Sequence, residues 1–135
     1  MTRHVLVPMD DSAPARAALE HALEWVPADR VTAVFAIDDL EADYGSVVSG
    51  DDEPEFFADV RETAAEYDRS VETTVVEGSG AADAILEYAA KTDVDAIVMG
   101  SEGKSGVSRM LLGSVAEAVT RRAEIPVTIV PRHFS

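Results

Sequence analysis

At 135 residues the chain is long enough for one domain that buries roughly two-thirds of its unfolded surface. Hydrophobic residues make up 47% of it, which excludes an intrinsically disordered chain, and the absence of cysteine excludes disulfides and thiolate metal sites. The 26 acids against 11 bases give a net charge of −15, which repels nucleic acid and anionic lipid.

Val5-Leu6-Val7-Pro8-Met9 reads as a first buried strand, closed by the polar group Asp10-Asp11-Ser12. A helix follows, with Ser12 as N-cap, Pro14 in the first turn, and Ala15, Ala18, Leu19, Ala22 and Leu23 on one face up to Trp25. Val31–Ile37 is a second strand rich in β-branched residues. The acidic segment Asp38–Glu53, with Gly45 and Gly50, reads as a mobile loop. Glu55–Arg69 reads as a helix with Phe57, Val60, Ala64 and Tyr67 on one face, and Val71–Val76 as a third strand whose alternation fits an edge. Gly78-Ser79-Gly80 is a turn, and Ala81–Lys91 a short helix with Ala82, Ile85, Leu86 and Ala89 inward. Val94–Val98 is a fourth strand, Ser114 to about Ala123 a helix opening on the capping box Ser114-x-x-Glu117, and Pro126–Pro131 a fifth strand.

Strands alternating with helices imply an α/β fold, a parallel sheet covered on both faces, in one domain over residues 1–135. No run approaches the ~18–20 apolar residues that span a bilayer, and Met1-Thr2-Arg3-His4 leads straight into a strand, so the expectation is a cytoplasmic protein with no membrane partner. An acid-rich surface with only Lys91 and Lys104 as lysines suits a high-salt cytoplasm, where the Debye length shrinks to ~3 Å at 1 M, and suggests a halophilic source.

The stretch that organises the chain is Met99-Gly100-Ser101-Glu102-Gly103-Lys104-Ser105-Gly106, followed by Gly113-Ser114-Val115. Strand, glycine loop and helix start form an anion site: glycines let the backbone come close, and the first helical turn offers unpaired N–H groups and the positive dipole end. Gly103-Lys104-Ser105 imitates the tail of a Walker A loop, but the glycine required five positions earlier is Val98, and Gly106 interrupts the helix start. Asp10 follows the first strand at the crevice, where its carboxylate could accept from a ribose hydroxyl or help hold a metal-bound phosphate; the residues alone leave both open. His4, His21 and His133 match no metal-ligand spacing, and no Gly-x-Ser-x-Gly elbow is present, so no catalytic constellation emerges.

On these residues the chain resembles the universal stress protein family, in particular its ATP-binding branch. That branch carries Gly-x2-Gly-x9-Gly-(Ser/Thr), which is met by Gly100, Gly103 and Gly113-Ser114. Val7-Pro8-Met9-Asp10, Ile37-Asp38 and Pro126–Val130 extend the resemblance over the whole chain. It implies a five-stranded parallel sheet of order 3-2-1-4-5 and a Rossmann-like fold. It implies a homodimer through strand 5 (Pro126–Val130), and ATP, ADP or AMP as cofactor, with any Mg²⁺ held by the phosphates. Pro8 and Asp10 would line the adenosine pocket, Asp10 toward the ribose. Ala36 would offer its backbone to the adenine edge, Met99 and Gly100 would sit against the nucleoside, and Gly103, Gly113, Ser114 and Val115 would supply phosphate donors. Ala36 is small where relatives often carry valine. Glu102 is acidic where they often carry His, Arg or Lys; a carboxylate about 4 Å from phosphate at ε ~20 costs about 4 kcal/mol unless it points to solvent or meets Mg²⁺, which leaves AMP or another less charged nucleotide open beside ATP. The implied function is a dimeric, nucleotide-binding stress regulator. The alternatives are a dimerisation module with an empty pocket and an enzyme with at most weak ATP hydrolysis.

Overall fold

The computed structural model describes residues 3–10, 12–38, 54–101 and 113–131. In chain order they form β1 (His4–Pro8), α1 (Ala13–Trp25), β2 (Arg30–Asp38), α2 (Phe56–Glu66), β3 (Glu72–Gly78), α3 (Ala81–Lys91), β4 (Ala96–Gly100), α4 (Ser114–Arg122) and β5 (Val127–Val130). All strand pairs are parallel, in the order β3-β2-β1-β4-β5 expected from the resemblance. Of the expected loop Asp38–Glu53, Asp38 ends β2 and residues 39–53 lie outside the described residues.

Alternate residues of each central strand feed two separate cores. Val5, Val7 and Val98 pack with Leu19 of α1 and Phe57 and Val60 of α2 on one face. Leu6, Val34, Ile97 and Met99 pack with Ile85 of α3 and Val119 of α4 on the other. β1 is buried on both faces from His4 to Val7, which explains its unbroken apolar run. The edge strands differ: β3 has no fully buried residue, as its alternation predicts.

Two boundaries move from their sequence positions for physical reasons. β4 runs to Gly100 because Met99 and Gly100 align with Ile129 and Val130 of β5. α2 stops at Glu66 rather than Arg69 because Asp68 adopts a left-handed φ of 56°, a helix stop made without glycine. Arg69 instead crosses to the end of α1, where its guanidinium donates to the carbonyls of Leu23 (3.0 Å), Val26 (3.4 Å) and Ala28 (2.6 Å). α1 has no basic residue in its last turn, so this cation complements its negative dipole end from another element.

Candidate functional site

The strand order reverses between β1 and β4, which opens a crevice beyond their carboxyl ends. Pro8 ends β1 opposite Val34, and Met9 N–H still donates to Val34 O at 2.7 Å. Beyond this point β1 leaves the sheet while β2 continues to Asp38. In a strand the N–H and C=O of one residue point to the same side and successive residues alternate. Val34 faces β1, so Ala36 presents its N–H and C=O toward the side β1 has left. Asp10, half-buried, stands at the same end of β1, its Oδ1 shielded from solvent.

The β4 side of the crevice is built by a chain of main-chain bonds. Ser101 N–H donates to Val130 O at 2.9 Å, and Gly113 N–H donates to Ser101 O at 2.8 Å. The second glycine cluster is thereby tied directly to the end of β4. Gly100 has a packing cause of its own: a Cβ there would lie 2.7 Å from the C and Cβ atoms of Pro14, so only glycine lets α1 approach β4.

The expected capping box is not formed. The N-cap of α4 is Gly113, with φ −65° and ψ 161°, and no side chain caps this end. Ser114 is the first helical residue and exposed, while Glu117 turns away to pair with Arg121 at 2.6 Å. Gly113 already occupies the extended cap position, which places Ser114 one residue too far along to bond the N3 amide. Among the described residues no side chain caps the start of α4.

Of the expected site residues, Ala36, Ser114 and Val115 line one cleft of about 430 Å³, within the range of small-ligand pockets. Met99 is buried in the core beneath it, with Ala36 and Val115 packed against the same cluster. Pro8, Asp10 and Gly100 stand at the neighbouring strand ends. Glu102, Gly103 and Lys104 lie outside the described residues. The far wall was not anticipated: it is made by Ser79, Gly80 and Asp83 at the start of α3 and by Arg122 from α4. Arg122 Nη2 lies 2.6 Å from Asp83 Oδ1, and Ser79 Oγ donates to Asp83 Oδ2 at 3.1 Å. The Arg122 bond, then the Ser79 bond, hold the Asp83 carboxyl below the usual aspartate range. The sequence carries a signal for the α3 part of this wall, since Gly78-Ser79-Gly80 repeats the pattern of strand, glycine turn and helix. Gly80 has φ +142°, a conformation glycine alone tolerates well, and caps α3 without a side chain.

Among the described residues no group of His, Asp or Glu side chains could hold a metal ion, and no helix is long and apolar enough to cross a membrane.

A parallel sheet of this strand order with helices on both faces defines a Rossmann-like α/β domain. The sequence model of the universal stress protein family matches residues 1–131, and the chain belongs to that family. Universal stress protein MJ0531 of Methanocaldococcus jannaschii is 32% identical, covering 96% of this chain and 82% of its own. The solved structure of MJ0577 from the same organism superposes with a TM-score of 0.77 at 27% identity, covering 100% of this chain and 99% of its own. A universal stress protein solved in complex with cAMP superposes with a TM-score of 0.72 at 26% identity, covering 98% of both chains.

Proposed function

We propose that the chain is an adenine-nucleotide-binding regulator. The observation that carries this reading is the single cleft shared by Ala36 and the glycine-capped start of α4. Ala36 offers one donor and one acceptor side by side, the complement of N1 and the N6 amine of adenine. The first turn of α4, which no side chain caps among the described residues, offers amides and a positive dipole end to a phosphate. The similar universal stress protein solved with cAMP supports an adenine ligand.

In this reading Pro8 and Asp10 flank the nucleoside, with Asp10 accepting from a ribose hydroxyl. Met99 and Gly100 form the floor, and Gly103, Ser114 and Val115 donate to phosphate; the expected donor Gly113 has its own N–H on Ser101 O, so it contributes only close approach of the backbone. ATP, ADP and AMP all fit this chemistry. Any Mg²⁺ is held by the phosphates. The chain acts in the cytoplasm as a homodimer through β5, which lies at the edge of the sheet. Its role is signalling stress by its nucleotide-bound state.

Equilibrium dialysis against ATP and AMP in molar KCl tests this reading, together with mass spectrometry of any small molecule that copurifies. Wild type binds at least one of them, and Gly113→Val, whose side chain would stand over the α4 amides, loses it. The φ and ψ of Gly113 suit any residue, so this variant leaves the backbone unstrained. Absence of binding by wild type, or unchanged binding by the variant, refutes the proposal.

A further inference from the structure

The cleft extends past Ala36 and the α4 start to a polar wall that the phosphate grip does not use. Asp83 is its centre, with one carboxylate oxygen on Arg122 and the other on Ser79. The side chains of Arg122 and Asp83 remain 47% and 39% exposed, so the pair is a weak strap for the fold. As a wall of a binding cleft it has a sharper use. An ionised carboxylate is acceptor-only with about four lone-pair sites, and two of these are taken. Arg122 also cancels its charge, so the acceptor stands near a nucleotide without adding a net anion.

We propose that Asp83, positioned by Ser79 and Arg122, selects the exocyclic amine of the base and so makes the cleft prefer adenine over 6-oxopurines. This inference rests on the nucleotide reading above and adds the residue that sets base choice. The N6 amine of adenine carries two N–H donors. The Ala36 carbonyl accounts for one, and the second requires another acceptor. Asp83, its carboxylate held by Arg122 and Ser79, lines the same cleft as Ala36. Hypoxanthine and guanine carry a carbonyl oxygen at that position, which sets lone pairs against both the Ala36 carbonyl and the Asp83 carboxylate. Discrimination then comes from repulsion of the wrong base as well as from attraction of the right one.

The test compares AMP with IMP, whose identical ribose phosphates cancel the phosphate contribution. Dissociation constants are measured for the full chain in molar KCl, for wild type, Asp83→Asn and Asp83→Ala. Wild type favours AMP by about tenfold or more. Asp83→Asn, whose amide can donate to the carbonyl of IMP, lowers the AMP-to-IMP ratio at least fivefold, and Asp83→Ala lowers it less. A wild-type ratio near one, or an unchanged ratio in both variants with AMP still bound, overturns the inference and leaves the nucleotide reading standing. Failure of wild type to bind either nucleotide sinks both. A second measurement needs no variant: the ¹³C carboxyl resonance of Asp83 moves on saturation with AMP and stays in place with IMP. No movement with AMP also overturns the assignment.

Discussion

The two helices nearest the crevice begin in opposite ways. α1 is closed: Ser12 caps it through Oγ to the Ala15 amide at 3.3 Å, and Pro14 is pressed against Gly100. α4 is open: Gly113 caps it without a side chain, and the following residues line a cleft. Both starts follow strands that end at the same crevice, so position alone does not distinguish them. What differs is whether the protein itself satisfies the first amides. An N-terminus that is already satisfied serves packing, and one left unsatisfied can serve a ligand.

The largest effect expected from disturbing this contrast is on the closed side. Gly100→Ala forces a Cβ against the backbone of Pro14, and overpacking of this kind costs about 1–3 kcal/mol. Urea denaturation should show a lower midpoint with an unchanged m-value. Ser12→Ala should cost about 1 kcal/mol, the usual worth of a side-chain cap, and the same urea titration reads it. Ser114→Ala at the open start should leave stability within about 0.5 kcal/mol. It should weaken nucleotide binding several-fold in dialysis. If the two serine variants cost equal stability, the contrast between the helix starts is lost.

Salt sharpens the same point more gently. The net charge of −15 repels a nucleotide at long range, while main-chain amides act at contact. Raising KCl from 0.1 to 1 M should therefore tighten ATP binding by a few-fold; weakening with salt would indicate a grip dominated by lysine or arginine. The smallest effect concerns the far wall. The Asp83 carboxyl titrates below the usual aspartate range because of Arg122 and Ser79. The pair is thus fully formed above the ordinary aspartate pKa and is lost as pH falls through the lower, folded value. Arg122→Met should move the Asp83 carboxyl resonance midpoint upward toward the usual range.

The sheet was legible because its signals are local. β1 reads as a continuous apolar run, α1 as a capped period with proline beyond its end, and Ala81–Lys91 as a helix with the bounds the structure gives it. The strand order was not local information; it came from the likeness of Gly100, Gly103 and Gly113-Ser114 to a family pattern. The α4 cap departs from the Ser-x-x-Glu signature because its fulfilment depends on the preceding residue, and Gly113 is anchored by Ser101 at the end of β4. The packing role of Gly100 was hidden, since its cause is Pro14, 86 positions away in the chain. The Ser79, Asp83 and Arg122 wall was missed for a similar reason: it joins two helices that only the fold brings together.

Backbone amide shifts during a nucleotide titration test the open start of α4 most directly. In ¹H–¹⁵N spectra recorded with increasing AMP, the amides of Gly113, Ser114 and Val115 should move with one common affinity, together with that of Ala36. The amides of Ala15 and Arg16 in the capped turn of α1 should stay in place. Movement confined to α1, or saturation with AMP that leaves residues 113–115 unchanged, would contradict the account.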